Sequence, residues 1–157
     1  MKPTVYIETT IISYLTAWPS RDVVRLSHEI LTRKWWEKRE RFELHTSEIV
    51  RLEAAAGDPS AAAERLKALE GMTILPPSAT ALALAERLAV DLNLPERARA
   101  DAAHIALAAA HGMSFLLTWN CRHLANAALT DKIEKACSDA GLLAPRIVTP
   151  EVMMEFP

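Results

Sequence analysis

Glu8, Glu53 and Asp101, together with the amide of Asn120, stand where polar side chains need a physical reason. Glu8 closes a β-branched and aromatic run, Thr4-Val5-Tyr6-Ile7. Parallel sheets take ligands beyond the carboxyl ends of their strands, so an acid there is either a rim residue in water or part of a site. Glu53 shares a helix face with Ile49 and Val50, one turn earlier. Glu48 suits the dipole as an acid in a first turn. Glu53 lacks that explanation and is either a rim or ion-paired acid or a functional one. Asp101 falls about six residues into a helix opening at Pro95, too deep to cap it, among Ala102, Ala103, Ile105 and Ala106. A lone acid among apolar neighbours is costly to bury unless paired or metal-bound, and His104, one turn on, is the available pair. Asn120 follows the apolar run of SFLLTWNCRHLAN, a stretch with no Gly or Pro to mark a turn.

Acids and an amide gathered at one mouth would suit a hard divalent ion such as Mg²⁺, which takes few carboxylates, several waters and substrate phosphate oxygens. Such an ion activates water and neutralises the charge of a phosphodiester. This demand fits the set better than general acid/base work alone. Other chemistries fit less well. Cys121 and His123 are separated by one residue and Cys137 lies far off, so no paired zinc spacing exists. A Cys–His nucleophilic dyad has its side chains but nothing to orient them.

The elements that must position these residues are short apolar strands alternating with helices. Strands are expected over 4–8, 42–46, 72–76, 114–118 and 146–148. A helical turn follows Thr9-Thr10. Ser20 is placed as N-cap of a long segment over 21–42, with Asp22 in its first turn and Val23, Leu26, Ile30, Leu31 and Trp35 as its apolar stripe. Its basic end, Lys34, Lys38, Arg39 and Arg41, reads as a solvated face, with Trp35-Trp36 as core or interface contact. Further helices are expected over 47–56, 59–70, 78–90, 95–112 and 129–140, with Gly57, Gly71, Gly112 and Gly141 as stops. The tail is expected to trail off after Pro150. Strands joined through helices imply crossovers and a parallel sheet covered on both faces.

Taken in order, the four positions resemble those of a PIN domain. The acid closing the first strand is matched by VYIETT, and the acid on a capped helix after the second strand by TSEIVRLEA. The third acid opens DAAHIALAAAHG, and the position after the next strand is matched by TWN. The similarity spans about 4–148. It implies a three-layer α/β/α sandwich around a mainly parallel sheet of four to five strands. It also implies a Mg²⁺- or Mn²⁺-dependent ribonuclease resembling the VapC-type toxins, hence an RNA substrate, a homodimer and an antitoxin partner. The resemblance makes Glu8, Glu53, Asp101 and Asn120 the metal-binding and catalytic set, supported by the hydroxyls of Thr10 and Thr118. His104 reads as a core residue behind that set, and Arg122 and His123 as contacts to RNA phosphate or else as a solvated loop. The chain departs from the family in two ways. Glu8 replaces an Asp with a side chain one methylene longer, and Asn120 replaces an Asp and removes a negative charge. A second expectation follows: a PIN scaffold with a weakened metal site that binds RNA or a protein.

The bulk numbers agree with a single domain over 1–157, half hydrophobic and a quarter charged. A net charge of −2 excludes a broadly basic nucleic-acid binder, so any such contact is a local patch. No apolar run nears the roughly 18 residues of a membrane span, and the N-terminus lacks the pattern of a signal peptide. Two cysteines are too few for a disulfide framework, which makes a reduced, cytoplasmic protein the default.

Overall fold

The computed structural model describes all residues, Met1–Pro157. The strands are β1 (Thr4–Ile7), β2 (Glu43–Ser47), β3 (Thr73–Leu75), β4 (Phe115–Leu117) and β5 (Arg146–Val148). They form one sheet in the order β3-β2-β1-β4-β5, with every pairing parallel. Tyr6 sits opposite His45 of β2 on one side and Leu116 of β4 on the other. β1 and β4 are buried throughout or nearly so, which is why they read as unbroken apolar runs instead of alternating ones.

The helices are α1 (Thr9–Thr16), α2 (Val23–Trp36), α3 (Glu48–Ala54), α4 (Pro59–Leu69), α5 (Ala79–Asp91), α6 (Arg99–Ala110), α7 (Thr130–Asp139) and α8 (Pro150–Met153). α1 packs on α2, α3 and α4, and α2 on α8, while α5 packs on α6 and α7. The result is a three-layer α/β/α sandwich. The chain runs outward from β1 through β2 to β3, then returns to the other side of β1 for β4 and β5. The strand order therefore reverses between β1 and β4. In open parallel sheets that reversal leaves a crevice beyond the carboxyl ends of the two strands.

Local chemistry fixes most boundaries. Ser47, Asp58, Ser78 and Thr149 each accept a backbone N–H of the helix they precede, and Pro59 occupies the first turn of α4. Gly112, which ends the turn after α6, has φ +66°, a conformation that disfavours a Cβ.

The structure corrects the sequence reading at several points. Asp22, not Ser20, caps α2: its carboxylate reaches the Arg25 N–H at 2.8 Å, and Ser20 Oγ instead accepts from Asp22 N. α2 ends at Trp36, and a 3₁₀ turn over Arg39–Arg41 follows. The inward face of α2 carries Glu29, Thr32 and Trp35, whereas Val23, Val24 and Ile30 are exposed. The tail does not trail off, because Thr149 caps α8 and Met153 is buried.

Leu116, fully buried at the middle of β4, has no room to be replaced by a smaller residue without leaving a void. Leu116→Ala should lower unfolding stability by about 2–5 kcal/mol in urea titration while leaving the far-ultraviolet spectrum of the folded protein intact. A loss below about 1 kcal/mol would contradict this placement of the core.

Candidate active site

The β1–β4 crevice begins with Glu8, which is only 4% exposed. Its backbone N–H still pairs with Leu117 across the strands at 3.2 Å, and its side chain caps α1. Oε2 accepts from the Thr10 N–H, the Thr10 hydroxyl and the Thr118 hydroxyl, the last at 2.7 Å. Each threonine hydroxyl also receives a backbone N–H from the segment after β4. Trp119 N donates to Thr10 at 2.9 Å, and Asn120 N donates to Thr118 at 2.9 Å. Glu8 is thus tied through two hydroxyls to the loop that carries Asn120. Burial pushes the Glu8 carboxyl above its ordinary value. The charge of His104 and the hydrogen bonds of Thr10 and Thr118 oppose that shift without cancelling it.

Glu53 reaches the same crevice from α3, beside Glu8's neighbour. Its Oε1 accepts from Thr9 Oγ1 at 2.8 Å and from His104 Nε2 at 2.9 Å. The side chain is about two-fifths exposed, not on a buried stripe, because α3 turns Val50 and Ala54 inward instead. Burial alone would raise its pKa, but the hydrogen bond and charge of His104 and the bond from Thr9 outweigh it and hold it below the ordinary value.

His104 is fully buried. Since a carboxylate oxygen only accepts, Nε2 carries the proton shared with Glu53. Nδ1 lies 2.6 Å from the Tyr6 hydroxyl, which lies 2.7 Å from Ser47 Oγ. Ser47 Oγ in turn accepts the Val50 N–H at the start of α3. A line of hydrogen bonds therefore runs from the helix that bears Glu53, through the sheet, and back to Glu53. Burial drives the Tyr6 phenol far above its usual range, against the Ser47 bond, so it stays protonated and able to donate.

Asp101 comes from α6. It lies in the first turn of that helix, not six residues in, because residues Glu96–Ala98 form a separate 3₁₀ turn. Its place there is favourable to the helix dipole, which removes part of the sequence-based case for its oddity. Its Oδ2 lies 3.0 Å from His123 Nδ1.

Asn120 makes the loop fold without Gly or Pro. Its Oδ1 accepts the N–H groups of Arg122 and His123 at 3.2 and 3.0 Å, and its backbone carbonyl accepts Leu124 and Ala125 N–H. This turn carries His123 onto Asp101. Arg122 is exposed at the rim, as is Cys121.

The hydrogen bonds form two sets: Glu8, Thr10, Thr118, Asn120, His123 and Asp101 make one, and Glu53, Thr9, His104, Tyr6 and Ser47 the other. They adjoin only along the chain, where Thr9 lies between Glu8 and Thr10. Every carboxylate keeps one oxygen without a hydrogen bond: Oε1 of Glu8, Oε2 of Glu53 and Oδ1 of Asp101. These hard oxygens suit Mg²⁺ or Mn²⁺ in kind. They do not converge on one point, since no three His, Cys, Asp or Glu side chains form an ion-holding group. The zinc and Cys–His alternatives gain no support: Cys121 is exposed, Cys137 is buried on α7, and neither has a histidine partner. Thr9, Tyr6 and Ser47 are read in the sequence only as parts of a strand or a helix start and not as site residues, although a tyrosine hydroxyl in a buried strand usually needs a partner.

Residues 5–128 match the family model of the PIN domain. The chain belongs to the PIN domain family. Its members are in general metal-dependent nucleases. A comparison with curated proteins finds no match. Among solved structures, a chain of VapBC2 from Rickettsia felis, crystallised bound to a DNA fragment from its promoter, is similar with a TM-score of 0.59. The match covers 93% of this chain and 98% of that one at 14% identity, which speaks for the PIN fold alone.

The raised pKa of Glu8 makes its ionisation a cost to this PIN fold. The folded state holds the proton more tightly than the unfolded chain, so Glu8 lowers stability as pH rises from its unfolded value, near 4.5, through its folded one. Glu53, shifted down, acts in the opposite sense, and its contribution is lost as pH falls through its folded value. Glu8→Gln should raise the thermal midpoint at pH 7, and the gain should vanish below about pH 4.5. A midpoint at pH 7 lower than that of the parent would rule out a net cost from Glu8.

Proposed function

We propose that this PIN domain is a Mg²⁺- or Mn²⁺-dependent endoribonuclease, the toxin of a toxin–antitoxin pair, acting in the cytoplasm as a single domain over 1–157. The observation that supports this best is the set of half-tethered carboxylates at the β1–β4 crevice, each with one oxygen anchored and one unengaged. In this reading Glu8, Glu53 and Asp101 hold the ion, and Asn120 completes the set at its edge. The ion, when bound, activates water and neutralises phosphate charge.

The protein's own residues prepare the rest. Thr10 and Thr118 fix the rotamer of Glu8, which carries one methylene more than the family's Asp and so has one more torsion to restrain. His104 orients Glu53, and Tyr6 with Ser47 holds the imidazole. Asn120 spends its carbonyl oxygen on the turn, so its main work is to place His123 against Asp101. Arg122, exposed beside the crevice, takes RNA phosphate together with His123. The exposed Val23, Val24 and Ile30 of α2 supply apolar surface for a second copy or for the antitoxin. The antitoxin itself rests on the likeness to VapBC2, a complex of toxin and antitoxin.

A second reading has an observation of its own. The acids do not close on one point and the fourth is an amide, which fits a scaffold that binds RNA or protein without cutting. Calorimetry with Mg²⁺ separates the two readings: RNA or partner affinity without detectable metal binding would favour the scaffold.

On the nuclease reading, purified protein should cut RNA in Mg²⁺ or Mn²⁺ and stop in EDTA. Asp101→Ala should slow cutting by roughly a hundredfold or more, since even residues behind a metal's ligands are worth roughly 10–100-fold. Undiminished cutting by Asp101→Ala would remove Asp101 from the site.

A further inference from the structure

α2 buries one carboxylate that the site above does not use. Glu29 is 1% exposed. Its Oε2 accepts the Ser20 N–H at 3.1 Å, while Oε1 has no hydrogen-bond partner. No Lys, Arg or His forms an ion pair with it. A buried carboxylate left so is costly, and an unsatisfied group of this kind asks for a role.

Glu29 lines a cleft of about 380 Å³ between α1 and the start of α2. Thr10 lines it too, so the cleft adjoins the residue whose hydroxyl holds Glu8. On its rim stand Trp18, 92% exposed, and Arg25, which has no acidic partner. The cleft thus combines a buried acceptor, an uncovered aromatic ring and a free guanidinium.

We propose that this cleft is a base-recognition subsite for a guanine of single-stranded RNA next to the phosphate that is cut. The proposal rests on the ribonuclease reading only for why RNA lies at this crevice. Guanine alone presents two adjacent N–H donors, N1–H and the N2 amino group, on its Watson–Crick edge. A carboxylate accepts them side by side once the Glu29 side chain, 1% exposed here, turns outward into the cleft it lines, Oε2 using the lone pair that Ser20 leaves free. Adenine and cytosine set an acceptor nitrogen beside their amino group, which a carboxylate repels, and uracil offers a single N–H between two carbonyls. Trp18 supplies the ring on which a splayed base stacks, and Arg25 meets the adjoining phosphate. An arginine from a protein partner could also donate to Glu29, but Arg25 repels it and Trp18 and Thr10 point to the nucleic acid.

The test uses labelled uridine pentamers with guanosine, inosine or uridine at the centre, titrated with the full chain in EDTA and read by anisotropy. Inosine lacks the N2 amino group. The guanosine pentamer should bind about tenfold tighter than either of the others, the order expected for one good bidentate base contact. Trp18→Ala, a surface change, and Glu29→Gln, which keeps the acceptor for Ser20, should each cut the preference to about twofold or less. Equal affinity for the three pentamers, or a preference that survives both substitutions, overturns the proposal. So does Glu29-dependent binding of N-acetylarginine amide with no discrimination among pentamers, which would assign the cleft to a protein partner. Cleavage plays no part in EDTA. Guanosine preference without Mg²⁺-dependent cutting would leave the subsite and remove the nuclease, and cutting without preference would do the reverse.

Discussion

A carboxylate buried at the junction of β1 and α1 is the constraint around which the crevice is arranged. Glu8 cannot be hydrated in the ordinary way, so donors must come from the protein. They come from two threonines on different elements, and each hydroxyl both donates to Glu8 and accepts from the loop after β4. A hydroxyl is the one small group able to do both. Neither valine nor alanine at Thr10 or Thr118 could couple the acid to the loop. The pKa of Glu8 stays raised despite these donors, which marks the carboxylate as under-compensated in the chain alone. An under-compensated acid at the carboxyl edge of a parallel sheet is a natural place for a cation.

The second face of the crevice rests on the same principle with different groups. Glu53 is more open, and a buried imidazole draws it toward the sheet. The imidazole would itself be an expense in the core without Tyr6, and the Tyr6 hydroxyl without Ser47. Ser47 closes the line by capping α3, so the geometry of Glu53 and the start of its own helix are set by one side chain. Disturbing any member leaves a buried polar group unpaired, and such networks behave as units more than as sums of pairs.

Much of this fold was legible because the chain marks its own boundaries. Ser47, Ser78 and Pro59 announce helix starts, and the glycines after α3, α4, α6 and α7 all adopt positive φ where stops were expected. β1 and β4 were legible because burial on both faces makes a strand uniformly apolar. The start of α6 was not legible: Ala98 precedes it without a side-chain cap, so nothing in PERARAD tells a 3₁₀ turn from an α turn. The inward face of α2 was misread for a different reason. Periodicity presumes that apolar residues face the core, but here Thr32 faces in to receive the indole N–H of Trp119, and His28 stacks on that indole at 3.9 Å. A polar lining under a buried tryptophan has no signature along one helix, since it is dictated by a residue some ninety positions away. The positions of Glu8, Glu53, Asp101 and Asn120 were legible as an ordered set. The hydrogen bonds that hold the acids were not, because Thr9 and His104 reach Glu53, and His123 reaches Asp101, across the fold.

The amide at Asn120 separates two jobs that an aspartate in the same place would combine. Accepting the Arg122 and His123 N–H groups needs an oxygen, which either side chain supplies. Adding negative charge needs the carboxylate. The loop therefore keeps its shape with the amide, and only the electrostatics of the crevice change. Two of the three acids already face an imidazole, Glu53 at 2.9 Å and Asp101 at 3.0 Å. With one charge fewer and two acids so accompanied, attraction for a dication is weaker than a four-acid crevice would give. In the proposed nuclease His104 and His123 would therefore position the acids as well as accompany them. Glu8, Glu53 and Asp101 would have to draw together to hold such an ion, since each is tethered separately and the three stand apart.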